Sequence, residues 1–365
     1  MKPKRLVVVT GIMFILLTLV ALPLMAGCAT TSAPTPAPTP APTPAAGPPQ
    51  KEAEFHWRMQ SAFPSADITT QVHSMRIAQI IEEASEGRIK VDHFPGESIV
   101  GFNELVSAVK DGTLEVGYHF SPAACDLIPE NNTTALAGCC RNVGEQYYYL
   151  YKTGRLEILR EAFEENGLFL LCNALPGEEV IYTSFDVTGW DDFKGKKGSM
   201  TPNTINIITE LGAVVVPIAG WDEYTAMKLG NIDFFNYTLG ELESLKFYEV
   251  AQCVILEPPT TIATDDCFVN LKAWEAIGPE LQNKIEMAVR AELMDMGMEY
   301  RKRNAHAIEI GEESGVKLVK FSAADIKRYE DLAIKDWDQI AALNSRAAEL
   351  IDIAKDFVAI RDRLR

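Results

Sequence analysis

Residues 190–240 read WDDFKGKKGSMTPNTINIITELGAVVVPIAGWDEYTAMKLGNIDFFNYTLG, and the order of apolar runs and helical stretches within them decides the fold class. AVVVPI and IDFFNYT read as strands from their β-branched and aromatic content, and KGKKGSM reads as a third. Between them TINIITELG and DEYTAMKLG carry apolar residues at helical spacing and close on Leu-Gly. Strands separated by single helices imply a mainly parallel sheet, and such sheets hold ligands at the carboxyl ends of their strands.

The same alternation extends outward. GLFLLCNAL (167–175) and EVIYTS (179–184) read as two further strands upstream. In the amino-terminal half FHWRMQS, IKVDHF and LEVGYHF read as strands. A helix carrying Val72, Met75, Ile77, Ile80 and Ile81 lies between the first two, and FNELVSAVKDG, closed by Gly112, between the others. Two α/β halves follow. LLCNAL and FFNYT are placed to cross between them or line the space that separates them, which predicts a hinged cleft. The boundaries expected are residues 51–172 plus part of the carboxyl-terminal half for the first lobe and 173–270 for most of the second. Residues 271–321 supply connecting and first-lobe helices, and 322–365 one long final helix capped by Ser322. Along that helix Ala333, Trp337, Ile340, Leu343, Ala347, Leu350, Ala354 and Phe357 fall three or four apart. Such a seam suits either packing across the same chain or a homodimer through residues 325–365.

Residues 1–27 combine Lys2, Lys4 and Arg5 with an apolar run from Leu6 to Val20 and end in Leu-Met-Ala-Gly before Cys28. They read as a lipoprotein signal peptide with Cys28 as the lipid-attachment residue; an uncleaved membrane helix or simple secretion is the alternative. Residues 28–50, dominated by Pro, Thr and Ala, cannot build a core and read as an extended tether. The chain has 365 residues and a formal charge of −17, and loss of the basic leader makes it more acidic, which excludes a nucleic-acid partner. None of the six later cysteines stands in a CxxC spacing, so no zinc site is expected, while an extracytoplasmic location permits disulfides.

No catalytic motif emerges. The five histidines form no HxxxH or HExxH pair, no GxSxG elbow occurs, and no glycine-rich phosphate loop follows a strand. WRMQSAFPS, FNELVSAVKDGTLEVGY, FVNLKAW and the whole of 190–240, with its Y-x-A-x-x-x-G-x-I-D run, together resemble the solute-binding proteins of tripartite ATP-independent periplasmic (TRAP) transporters. The dicarboxylate-type (DctP) family is meant, nearest its α-keto-acid-binding branch. The resemblance covers essentially the whole mature chain. It implies a two-lobed periplasmic-binding-protein fold, type II-like, with a connecting helix and closure around a carboxylate. It further implies delivery to one small and one large integral membrane subunit.

The family's usual carboxylate-binding Arg falls on Ser199, after Gly198. The branch's cation-holding acidic residue and Trp fall on Asn236 and Tyr237, so a sodium ion loses its charged ligand and neither cofactor nor metal is expected. Glu257-Pro258-Pro259-Thr260 stands near the family's aromatic and His contacts. The candidate ligand-binding residues are therefore Gln60, Phe63, Tyr118, Phe120, Glu178, Tyr182, Ser199, Met200, Asn236, Tyr237 and Pro259, with Thr201 and Asn203 as further neutral donors. They suit a carboxylate or an atypical neutral or aromatic ligand. Arg58 or Arg141 could supply a displaced clamp, with a surface salt bridge as the other reading of Arg58. Glu178 and Glu179 face an amine or only solvent. A sensory or scaffolding lipoprotein of the same fold is the alternative function, and an enzyme the third.

Overall fold

A computed structural model of the chain describes residues 53–218 and 222–363. The leader, Cys28 and the tether lie outside the described residues. Ten strands occur in chain order: β1 (Phe55–Ser61), β2 (Ile89–Phe94), β3 (Val116–Phe120), β4 (Leu168–Thr183), β5 (Lys197–Ser199), β6 (Val214–Val215), β7 (Phe234–Thr238), β8 (Cys253–Glu257), β9 (Thr261–Asn270) and β10 (Lys317–Lys320). The first eight helices are α1 (Met75–Ala84), α2 (Leu105–Lys110), α3 (Val143–Lys152), α4 (Arg155–Glu165), α5 (Ile205–Glu210), α6 (Glu223–Lys228), α7 (Glu241–Ser244) and α8 (Leu271–Ala276). Three long ones complete the fold: α9 (Gly278–Glu313), α10 (Ala323–Ala341) and α11 (Ser345–Arg363).

The strands form one sheet in the order β2-β1-β3-β9-β4-β7-β5-β6, with β8 on β4 and β10 on β8. β1, β2 and β3 pair in parallel, as do β5, β6 and β7, which are the two α/β halves expected from the alternation. They are joined by an antiparallel pair. β9 covers β4 from Leu168 to Glu179, and β8 takes over from Ile181 to Thr183. Two corrections follow. GLFLLCNAL and EVIYTS are not separate strands but one strand of 16 residues. The interruption, Pro176-Gly177, is a register shift in the ladder, with Gly177 at φ 100°. Proline and a positive-φ glycine are tolerated in a strand where a bulge already suspends pairing. The partner that crosses with β4 is β9; FFNYT (β7) stays within the second half.

Strand alternation then gives the second half two cores. Ile181 and Phe234 turn to one face, with Trp190 and Phe193, while Val180, Tyr182 and Phe235 turn to the other, with Leu242 and Phe247. The first half has one large core around Met59, Ile81, Val116, Phe163 and Phe268. α9 spans 36 residues, about 54 Å at 1.5 Å per residue, and ties the halves together. Its buried Leu281, Ile285, Val289, Leu293 and Tyr300 enter the first core and Ala307 the second half.

The single final helix expected over 322–365 is two helices. The chain breaks at 342–344, where Asn344 Oδ1 accepts from the Ala347 amide at 2.8 Å. Leu343, assigned to the seam, lies in that break and is 51% exposed. The rest of the seam packs within the chain: Ala333 on the second half beside Tyr329, and Trp337, Ala354 and Phe357 on the first with Ile340 partly buried against it, while Ala347 and Leu350 are fully buried. The face that offered a second copy of the chain a partner is thus covered by the chain itself. Ser322 does cap α10, accepting from the Asp325 amide at 3.2 Å.

Candidate ligand-binding cleft

Between the halves, over the β4–β9 pair, lies a cavity of about 930 Å³ counted out to its mouth. The first lobe contributes an aromatic wall of Phe63, Phe102 and Phe120. Phe102 and Phe120 stack with ring centres 5.7 Å apart. From the second lobe come Ser199 at the end of β5 with Met200, Thr201 and Asn203 just after it, Glu223 at the start of α6, and Asn236, Tyr237 and Thr238 on β7. These β5 and β7 positions are the carboxyl ends of parallel strands. Pro176, Glu179, Thr261, Thr264 and Asp265 rise from the shared pair.

Glu179 is the centre of the polar floor. Its Oε2 accepts from Asn236 Nδ2 at 3.0 Å, Thr261 Oγ1 at 2.9 Å and Thr201 Oγ1 at 3.3 Å. Asn236 is held in turn, its Oδ1 accepting from the Thr201 amide at 2.8 Å. Burial raises the Glu179 carboxyl above the usual carboxylate range, and these hydrogen bonds pull the other way. Glu223 is 4% exposed and Ser199 supports it, yet its Oε2 meets no hydrogen-bond partner. Burial and the neighbouring Glu179 carboxylate hold it well above the ordinary range. Asp265 accepts from Tyr118 Oη at 2.9 Å and is raised in the same way by burial. Among the described residues lining the cavity there is no Arg, Lys or His.

Behind Tyr237 lies a second acidic layer. Tyr237 Oη donates to Asp67 Oδ2 at 3.1 Å, and Tyr300 Oη donates to Glu241 Oε1 at 2.7 Å. Thr238 Oγ1 also reaches Glu241. Burial pushes Asp67 up to about 6.

Six of the candidate residues are brought together on the cavity: Phe63, Phe120, Ser199, Met200, Asn236 and Tyr237, with Thr201 and Asn203 beside them. The other five are elsewhere. Gln60 is fully buried, its Oε1 accepting from the Ile99 and Val100 amides at 2.8 and 3.1 Å, so it secures a loop. Tyr118 stands behind Phe63 and reaches the site only through Asp265. Tyr182 points into the core, its Oη donating to the Thr238 carbonyl at 2.9 Å. Glu178 alternates to the opposite face from Glu179, where Asn304 Nδ2 donates to it at 3.3 Å, and Pro259 lines the same rear hollow. Neither arginine is a displaced clamp. Arg58 pairs with Glu115 at 2.9 Å at the surface, and Arg141 with Asp362 at 2.5 Å.

Sequence reading missed Phe102, Glu223, Thr261 and Asp265. For Asp265 a signal existed, two acids within the otherwise uncharged strand TIATDDCFVN. Glu223 reads as an ordinary acid in a helix's first turn and gives none. Among the described residues no group of three or more His, Cys, Asp and Glu could hold a metal, all six described cysteines are free, and no helix is long and apolar enough to cross a membrane.

A family model described as DctP, bacterial extracellular solute-binding protein, family 7, matches residues 62–344. A monocarboxylate 2-oxoacid-binding periplasmic protein of Nostoc is 24% identical over 316 residues, 82% of this chain and 83% of that protein. Among solved structures, a TRAP periplasmic solute-binding protein of Rhodoferax ferrireducens with bound malonate matches with TM-score 0.76 at 19% identity, over 84% of this chain and 100% of that one. Another, from Chromohalobacter salexigens with bound (S)-(+)-2-amino-1-propanol, matches with TM-score 0.76 at 18% identity, over 85% of this chain and 98% of that one. At such identities the likeness to solved structures establishes the two-lobed fold.

Proposed function

The chain belongs to the DctP family of bacterial extracellular solute-binding proteins, and from that premise we propose that it is the receptor of a TRAP transport system. It captures one small organic solute outside the cytoplasm and delivers it to the small and large membrane subunits. Binding, not turnover, is the activity assigned to it. The observation that carries this reading is the cleft between the lobes, with a polar floor and an aromatic wall drawn from separately cored lobes. Closure about the β4–β9 pair would bury a solute from both sides. Related solved structures hold an anion, malonate, in one case and an amino alcohol in another, so the fold accommodates either charge.

Export and anchoring complete the reading. Cys28 carries the lipid, and residues 29–50 space the receptor from the membrane. Cys28→Ser is expected to shift the protein from the membrane to the soluble fraction; retention would favour an uncleaved helix.

The receptor reading is tested by thermal shift against a broad metabolite library. A solute at 100 times its Kd adds about 2.7 kcal/mol of stability. The expected result is one chemical class that raises Tm and loses that effect when Met200→Trp fills the cleft. No stabilising solute in any class, with unchanged uptake in cells lacking the chain, would remove the reading.

A further inference from the structure

We propose that the cleft selects a small organic cation, a protonated amine or ammonium compound, whose charged end sits between Glu179 and Glu223 while its carbon skeleton lies against Phe63, Phe102 and Phe120. This rests on the cleft being the solute site and names the class of solute it takes.

Charge is the first argument. Three carboxyl groups, Glu179, Glu223 and Asp265, converge on the cavity from three different elements, α6 and the two shared strands. No cationic side chain among the described residues lines it to balance them. A carboxylate solute would meet three carboxyl groups, whose own ionisation burial already disfavours, and no cation to balance its charge. Ser199 offers it a single hydroxyl where a bidentate guanidinium would be needed.

Hydrogen-bonding capacity is the second, and it is independent of the charge count. Two buried polar atoms on the lining side chains have no partner, Glu223 Oε2 and Asn203 Oδ1. Both are acceptors. Buried acceptors without donors are uncommon because each carries its desolvation cost uncompensated. What the cleft lacks is therefore a donor-rich group, and an ammonium has donors only, without an acceptor to set against the carboxylates. A carboxylate has the opposite inventory.

The floor and wall fit the same ligand. Thr201, Asn236 and Thr261 all donate to Glu179 Oε2, an arrangement that favours its ionised form as counter-ion. The exposed faces and edges of the three phenylalanines supply apolar contact, and an aromatic face within about 6 Å attracts a cation.

The test compares solutes of equal shape and different charge on the purified exported protein by thermal shift and calorimetry. Benzylamine, benzyl alcohol and benzoate form one set; choline and its neutral isostere 3,3-dimethyl-1-butanol form another; a wider library is grouped by charge at pH 7.5. The expected result is that the tightest binders are cationic and that each cation binds at least tenfold more tightly than its neutral isostere. Their binding should weaken as pH falls from 8 to 5.5 and protons compete at Glu179, Glu223 and Asp265; in the layer behind, Tyr237 keeps its proton, while Asp67, which burial pushes up to about 6, takes up a proton in the same range and adds to the loss, as does Glu241, raised by burial in the same direction. Glu223→Gln and Glu179→Gln should each weaken binding by about a hundredfold, the usual loss when one member of a buried charge pair is removed. Variants that misfold leave the wild-type charge comparison decisive. Carboxylates or neutral solutes as the tightest class, or carboxylates that bind only when calcium is added, would overturn the cation assignment while leaving the receptor reading intact. Absence of binding by every class would overturn both.

Discussion

Asp265 and Asp266 are neighbours on β9 that turn to opposite faces of the sheet, one to the cleft and one into the first lobe. Asp266 is satisfied from within: Ser121 Oγ donates to its Oδ1 at 2.6 Å, Asn173 Nδ2 to the same atom at 2.6 Å, and Asn131 Nδ2 to Oδ2 at 2.7 Å. The buried Arg155 guanidinium stands behind Asn173 and adds its charge. In the cleft Asp265 has the Tyr118 hydroxyl, and Glu223 keeps one oxygen without a partner. A buried carboxyl that the fold needs is fully surrounded by donors from its own lobe. Those at the cleft retain capacity for a donor the chain does not supply.

The largest way to break this contrast is Asp266→Ala. It removes the charge that faces the buried Arg155 across Asn173 and leaves the Asn173 Nδ2 donor without a partner, while Asn131 Nδ2 keeps the Ser121 carbonyl at 2.6 Å; a loss of about 3 kcal/mol is expected in urea unfolding. A loss below about 1 kcal/mol would mean that the two aspartates do not differ as described.

The pH dependence of stability sharpens the comparison at the next level. Burial pushes Asp266, like Asp67, up to about 6, above its unfolded value, so the folded chain binds more protons between those limits. Stability of the empty protein should then fall as pH rises from about 4 to about 6, by on the order of 3 kcal/mol per group, and Glu179, Glu223 and Asp265, raised by burial in the same direction, add to the fall. Tm measured from pH 4.5 to 8 checks the sign; a rise with pH would contradict it.

Glu223→Gln is the smaller companion to Asp266→Ala. Removing a half-satisfied buried carboxyl should raise the stability of the empty protein at pH 8 by about 1 kcal/mol and flatten that pH profile. Opposite signs for the two substitutions are the point of the pair. The smallest effect is on thiols. Cys139, Cys140, Cys172, Cys253 and Cys267 are buried and free and Cys125 is half-buried, so the native protein lacking residues 1–28 should react slowly at no more than Cys125 and yield all six thiols only when denatured. Fewer equivalents would mean that a pair such as the cross-strand Cys172 and Cys267 oxidises during export.

Residues 190–240 show how far sequence reading reaches. Strands and helices from KGKKGSM to IDFFNYT are legible because period and glycine punctuation are local properties, whereas the cleft positions Ser199, Asn236 and Tyr237 follow from the resemblance to the DctP family. GLFLLCNAL and EVIYTS read as two strands because Pro176-Gly177 is a turn signal by composition; only the pairing with β9 that resumes beyond it makes it a bulge. Likewise the three-and-four spacing after Tyr329 announces a buried stripe but not its partner. The break at 342–344 and the docking on both lobes belong to contacts far away in sequence.

By itself, then, the sequence determined the α/β alternation, the two halves, and the basic and apolar composition of residues 1–27 before Cys28. Each is a property of residues within one or two elements, where backbone geometry and composition act directly. Only the tertiary structure decided which polar groups face one another: that Glu223, Glu179 and Asp265 meet in one cavity, that Glu178 and Tyr182 turn away from it, and that Arg58 and Arg141 are engaged at the surface. The charge of the cleft is a sum over side chains brought from β4, α6 and β9. Such a sum depends on the pairing register and lobe packing that fix distance and burial, and on those the protonation and ligand preference of each carboxyl depend.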